Sequence, residues 1–182
     1  DEDLAGDGRE TEPHATVKFG LHTNETADVR KVLAGEAPLK VKFGEISTFP
    51  PSASSDGASV LKIDLDSPDL HRLNKKIAGA LEVTDTHPTY QPHVTIAYVK
   101  PEAAAAYVGR PHVLSGRTVT LDSVTFSAKD GREIVIPLTG KPQEAATVPA
   151  GRIDETHARR RVKILVSEIK RDSKDPARSR SV

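Results

Sequence analysis

Apolar and polar residues alternate in short blocks along the chain, and this alternation predicts half-buried strands. In residues 14–21, Val17, Phe19 and Leu21 lie on one face of the predicted strand. The same period-two pattern predicts strands over 39–49, 60–65, 93–99, 119–126 and 133–138. The sequence Lys129-Asp130-Gly131 between the last two strands is typical of a hairpin turn.

Three stretches between these strands have helical spacing instead. Val29, Val32 and Leu33 predict a helix over 26–35, with Gly35 as its C-terminal stop. Ser67-Pro68 is typical of a helix start, because a hydroxyl cap precedes a proline at the first helical position. A short alanine-rich helix is expected from Pro101 to near residue 109. The predicted order is therefore strands and helices in alternation.

Composition limits the class of protein. The 182 residues are 36% apolar and 29% charged, which fits one globular domain with a core. No run approaches 18 apolar residues, so the sequence predicts no membrane-spanning helix. Cysteine is absent, which excludes disulfides and thiol nucleophiles and suits a cytoplasmic location. Methionine is absent even at position 1, and we expect the chain to be part of a larger polypeptide.

The net charge of zero conceals two charged flanks. Residues 1–12 contain six acids and one base, whereas residues 141–182 contain 11 bases and 6 acids. Charged flanks are usually solvated. The sequence therefore predicts an acidic extension over 1–12, a domain over 13–140 and a basic linker-like tail over 141–182. The tail is expected either to link to a neighbouring domain or to attract RNA through its charge.

One motif occurs twice. Pro13-His14-Ala15-Thr16 matches Pro92-His93-Val94-Thr95, 79 residues later. Residues i and i+2 of a strand share a face, so each histidine lies beside its threonine. Imidazole titrates near neutral pH, and two imidazoles flanking one phosphodiester supply a general base and a general acid. Threonine hydroxyls can donate to the non-bridging oxygens, so this chemistry needs no metal or cofactor.

The paired motifs His14-Ala-Thr16-Val and His93-Val-Thr95-Ile resemble the His-x-Thr/Ser-x signature of the 2H phosphoesterase superfamily, over residues 13–138. This group includes RNA 2′,5′-ligase-like proteins, cyclic phosphodiesterases and phage enzymes that degrade cyclic-oligonucleotide signals. The resemblance implies a bilobal α+β fold, in which two antiparallel sheets face each other across a central cleft with helices outside. It implies one motif in each lobe, with His14 and His93 as the acid/base pair and Thr16 and Thr95 as phosphate ligands. Family members have a strand before the first motif, where this chain has only twelve acidic, glycine-containing residues.

Three further residues are candidate substrate ligands. Lys18 shares the predicted strand face of His14 and would add positive charge beside a phosphate; a solvent-facing lysine is the alternative. Tyr90 and Phe49 are expected near the cleft, where either ring could stack on a base or pack into the core. Tyr98 alternates onto the apolar face and is expected in the core.

The motifs and the resemblance together predict a metal-independent phosphodiesterase acting on a cyclic or 2′,5′/3′,5′-linked nucleotide phosphodiester. Its expected partner is a nucleotide or oligonucleotide substrate, with no membrane. Three alternatives stay open: an enzyme of the phage type, a nucleotide- or RNA-binding module without turnover, and a structural appendage with a vestigial site. A zinc site formed by His22, His87 and His93 is a further alternative, but their spacing matches no zinc motif.

Overall fold

A computed structural model describes residues 2–85, 87 and 89–141, and the backbone of 162–165. In chain order the elements are β1 (Leu4–Arg9), α1 (Thr26–Leu33), β2 (Leu39–Phe49), β3 (Ser59–Asp66), α2 (Pro68–Ala80), β4 (His93–Val99), α3 (Pro101–Ala104), β5 (Thr118–Leu121), β6 (Ser123–Ser127), β7 (Glu133–Pro137) and β8 (Val162–Leu165). A single 3-10 turn, Ala53–Ser55, lies between β2 and β3. Within these described residues, no helix has both the length and the apolar character needed to cross a membrane.

The strands form two sheets. The larger sheet has five antiparallel strands in the order β1-β4-β3-β2-β5. The smaller sheet has the order β7-β6-β8, in which β6 pairs antiparallel with β7 and parallel with β8. This arrangement confirms the α+β class with two sheets.

The main core lies against one face of the larger sheet and continues to the smaller sheet. It is a single cluster of buried side chains to which both long helices and both sheets contribute, including Val29, Leu33, Leu39, Ile63, Leu70, Leu73, Ile77, Val124 and Phe126. Each fully buried side chain of this size stabilises the fold by about 1.5–3 kcal/mol. Because Leu61, Ile63 and Leu65 of β3 are buried, Lys62 and Asp64 lie on the opposite face of the sheet.

The predicted start of α2 and the predicted stop after α1 are confirmed, whereas α3 ends at Ala104 and not near residue 109. The Ser67 hydroxyl accepts a hydrogen bond from the Leu70 backbone N–H at 3.1 Å and donates to the Lys40 carbonyl oxygen at 2.6 Å. The cap therefore both begins α2 and holds it against β2. After α1, Gly35 has φ +75°, a left-handed conformation that stops the helix.

Two strand predictions need correction. Residues 14–21 form no regular strand; the bridges in this stretch are isolated, and they include Ala15 with Val94 and Leu21 with Val83. Gly20 interrupts any strand here, because its φ of +76° turns the chain towards the loop before β4. The strand expected over 119–126 is two strands, β5 and β6, which belong to different sheets. The hairpin between β6 and β7 is confirmed.

Both charged flanks also contribute strands. The acidic segment is predicted to be solvated, but its residues Leu4–Arg9 form β1 and pair with β4. β1 is thus the strand before the first motif that the sequence alone does not reveal. Leu4 packs against the small apolar cluster of Leu61, Ala97, Val99 and Ala104. In the basic tail, Val162–Leu165 forms β8 and pairs with β6. The remainder of the tail lies outside the described residues.

Candidate active site

The two His-x-Thr motifs lie side by side on the larger sheet. The antiparallel bridge between Ala15 and Val94 sets His14 opposite Thr95 and Thr16 opposite His93. Ala15 is buried and Val94 packs against the core, so the four motif side chains lie on the other face, where each is half-buried. The expectation of one motif per lobe is corrected, because the first motif pairs directly with the strand that carries the second.

Both motif histidines are held in the same way. His14 Nδ1 lies 2.8 Å from the Glu12 carbonyl oxygen, and His93 Nδ1 lies 2.7 Å from the Gln91 carbonyl oxygen. A carbonyl oxygen only accepts, so Nδ1 is the donor in both rings. In the neutral imidazole Nε2 is then the basic atom, and in the imidazolium it is the acid. Each accepting carbonyl belongs to the residue before the motif proline.

The surroundings of His93 disfavour its charged form. Burial lowers its pKa, and the positive charges of Lys62 and His14 act in the same direction. The hydrogen bond to the Gln91 carbonyl and the charge of Asp64 oppose this shift without cancelling it. The Phe49 ring meets the imidazole edge to face, with 4.9 Å between ring centroids. These contacts favour a neutral His93 that accepts protons at neutral pH.

Lys62 is a site residue that the sequence analysis missed. In the β3–β4 pairing it lies opposite Thr95, and Asp64 lies opposite His93. Only 5% of the Lys62 side chain is exposed; its Nζ donates to Ser47 Oγ at 2.6 Å and to the Asp64 carboxylate. The sequence shows Lys62 only as a polar position in an apolar strand. Its place beside the second motif depends on strand register, which no local pattern gives.

The geometry of this site agrees with a comparison of the sequence with known families. Residues 3–133, more than two thirds of the chain, match the model of the 2′-5′ RNA ligase superfamily. The chain belongs to this superfamily. Membership supports an activity of the phosphoesterase or ligase type, and it confirms the resemblance drawn from the two motifs. Among curated proteins, none matches the sequence significantly.

The other three predicted substrate ligands, Phe49, Tyr90 and Lys18, each have different contacts. Phe49 is the last residue of β2 and touches His93, as described above. The Tyr90 hydroxyl donates to the Thr16 carbonyl oxygen at 3.0 Å, so it supports the backbone of the first motif, and burial raises the pKa of this hydroxyl. Lys18 is buried and forms an ion pair with Asp85. Substrate binding by Lys18, Tyr90 and Phe49 stays a prediction.

The expectation that Tyr98 lies in the core is wrong. Tyr98 is half-buried and belongs to neither apolar cluster of the described residues. A bulge between Leu61 and Lys62 shifts the β3–β4 register and disturbs the simple alternation of faces there. The His22 ring contacts Thr84 and Glu82, and no group of three His, Asp or Glu side chains in the described ranges has the geometry of a metal site.

An open cavity of about 480 Å³ adjoins the site on the β3 side of His93. It lies between β2, β3, α2 and the end of the loop before β4. Its lining residues are Ser47, Thr48, Lys62, Asp64, Leu65, His71, Tyr90, Gln91 and Pro92. The His71 and Tyr90 rings meet edge to face at 5.3 Å within it. The cavity thus combines an aromatic wall with the Lys62–Asp64 pair.

Proposed function

We propose that this protein is a metal-independent phosphodiesterase that hydrolyses a cyclic or 2′,5′/3′,5′-linked nucleotide phosphodiester. The observation that carries the proposal is the pairing of the two motifs. It presents two imidazoles with the same tautomer and two threonine hydroxyls on one face of the sheet. This set contains a base, an acid and two donors, which is what phosphodiester cleavage requires.

The reaction needs two proton transfers. One imidazole removes a proton from the attacking water as the new P–O bond forms. The other imidazolium donates a proton to the leaving ester oxygen as the old P–O bond breaks. Thr16 and Thr95 donate to the non-bridging oxygens, whose negative charge grows in the transition state. The lowered pKa of His93 suits the base, and His14 then serves as the acid.

The cavity supports a nucleoside substituent on the phosphate. With the phosphate between the motifs, a group attached on the His93 side extends towards β3 and into this space of about 480 Å³. The His71–Tyr90 wall offers an aromatic surface to a base, and the Asp64 carboxylate offers an acceptor to an N–H or a hydroxyl group. The space available on this side favours a nucleotide over a small phosphate diester.

The test is turnover of 2′,3′-cyclic nucleotides by the whole chain, with product identity followed by ³¹P NMR. His14→Ala and His93→Ala should each lower kcat/KM by roughly 10²–10⁴-fold, because each removes a positioned proton donor or acceptor. Thr16→Ala and Thr95→Ala should each cost about 1.5–3 kcal/mol of transition-state stabilisation, the value of a hydrogen bond to a charged group. Activity should persist in the presence of a chelator.

His112→Ala is the matched control. Pro111-His112 repeats the proline–histidine pair but has Leu114 where the motifs have threonine, so this variant should keep nearly full activity once its folding is verified. Unchanged kcat/KM in His14→Ala would contradict the proposed chemistry. Tight nucleotide binding without turnover in the wild type would instead indicate a binding module.

A further inference from the structure

We propose that Lys62 is a positioning residue for His93: it holds Phe49 against the imidazole and, by its fixed positive charge, keeps that imidazole free to accept a proton. This role rests on the proposed function only where it concerns turnover. The effect on His93 itself exists in the ligand-free protein and is measured there.

The first support is the burial of the Lys62 ammonium. Removing an ammonium from water is costly unless acceptors replace the water. Here Ser47 Oγ and the Asp64 carboxylate accept two of its three hydrogens, so the charge is held in one place. Nζ is therefore a fixed cation beside the motifs.

The second support is that Lys62 contacts Phe49 and Phe49 contacts His93. Lys62 Nζ lies 4.4 Å from the centroid of the Phe49 ring, within the range of a cation–π interaction. The same ring meets the His93 imidazole edge to face at 4.9 Å. Lys62 thus fixes one face of Phe49, and Phe49 limits the positions that the imidazole can adopt.

The third support is the balance of charges that face His93. Lys62 and Asp64 come from β3, His14 comes from the first motif, and the Gln91 carbonyl accepts from Nδ1. Lys62 and Asp64 are paired, but half of the Asp64 side chain is exposed whereas Lys62 is buried. Water screens the exposed carboxylate more strongly than the buried ammonium. The net influence of the pair on His93 therefore follows the sign of Lys62.

The decisive experiment titrates His93 by NMR, from the Cε1–H resonance of the ligand-free whole chain. Lys62→Met should raise the titration midpoint, because it removes the cation, and Asp64→Asn should lower it. We expect each shift to be roughly half a pH unit, about a threefold change in the proton dissociation constant. Lys42→Met, which removes an exposed lysine of β2, is the matched control and should leave the midpoint unchanged.

The two opposite shifts separate this role from a purely structural one. Loss of packing alone would shift the His93 midpoint in the same direction in both variants or not at all. Either result would overturn the proposal. If Lys62→Met fails to fold, Asp64→Asn still tests the proposal, because this variant must lower the titration midpoint of His93. Phe49→Leu tests the contact: it should broaden the His93 resonance while keeping most of the charge effect, and an unchanged line width would contradict the positioning role.

Turnover tests the link to catalysis separately. In Lys62→Met, the acidic limb of the kcat/KM profile should move to higher pH by the same amount as the His93 midpoint. A shifted midpoint without a shifted limb would leave the Lys62 effect intact and refute His93 as the base of the proposed reaction.

Discussion

The proline before each motif histidine restricts the residue that binds the imidazole. A residue that precedes proline is confined to extended conformations, so Glu12 and Gln91 present their carbonyl oxygens in a narrow range of directions. Those carbonyls accept from Nδ1 of His14 and His93 and so select the tautomer with a basic Nε2. The proline of each motif therefore constrains the carbonyl that binds the imidazole.

Replacing Pro92 with alanine tests this idea at the scale of one residue. We expect the free energy of unfolding to fall by about 0.4–1 kcal/mol, the chain restriction that proline provides, and kcat to fall because part of the His93 population loses the Nδ1–H tautomer. Ring ¹⁵N shifts of His93 should also report a mixture of tautomers. Pro111→Ala, at an exposed proline outside the motifs, should leave kcat and the tautomer of His93 unchanged. A single Nδ1–H tautomer in Pro92→Ala would show that the proline is not needed.

Sequence repetition reveals some site residues and hides others. His14, Thr16, His93 and Thr95 are recognisable because the motif occurs twice, and the structure brings all four together. Lys62 is not recognisable, because a bulge in β3–β4 sets which residue lies opposite Thr95. The opposite failure occurs at Lys18: a period-two pattern predicts an open face, yet the segment is not a regular strand and the lysine is buried against Asp85.

At the scale of elements, the segment after the first motif is joined to the loop before β4 at Gly20. The Gly20 carbonyl accepts from the Thr84 N–H at 2.9 Å, and a Cβ atom at Gly20 would lie 2.2 Å from the Thr84 carbonyl oxygen. The loop thus requires glycine both for its positive φ and for its close approach. This junction joins the segment that follows the first motif to the loop that precedes the second.

Gly20→Ala should destabilise the fold by more than the roughly 1–2 kcal/mol that a left-handed conformation costs an ordinary residue. Gly8→Ala is the matched control, because Gly8 has φ +65° but no atom within 4 Å of a built Cβ. The difference between the two variants in urea-induced unfolding measures the clash with Thr84 alone. Equal losses would indicate that the loop moves aside at little cost.

Element boundaries follow the local sequence where alternation is regular and turns are clear. The ranges predicted for β2 and β4, 39–49 and 93–99, coincide with the strands themselves. β1 was missed because its sequence, LAGDGR, contains two glycines and an aspartate, residue types that disfavour strands. Its pairing with the edge of β4 is a tertiary effect, and no local pattern predicts it.

At the scale of the whole molecule, β8 joins a tail segment to β6, which lies in the middle of the smaller sheet. Truncation after Gly140 removes β8 but keeps the Gly140 N–H bond to the Glu36 carbonyl oxygen. We expect the truncated chain to fold, since the main core is intact, but with faster hydrogen exchange at the amides of β6. Mass spectrometry of the peptide containing 123–127 measures this. Unchanged exchange would show that β8 adds nothing to the stability of the sheet.

An antiparallel pair of strands has local twofold axes perpendicular to the sheet, and one passes between Ala15 and Val94. It exchanges His14 with His93 and Thr16 with Thr95. A phosphodiester has the same symmetry about phosphorus, with two bridging and two non-bridging oxygens. The arrangement of the four motif side chains therefore matches the symmetry of such a group. The His14 side and the His93 side of the paired motifs differ in their neighbours. The edge of the sheet lies beyond His14, whereas β3 and its cavity lie beyond His93. In the proposed reaction, β3, a strand that carries neither motif, would thus determine the direction in which the diester is cleaved.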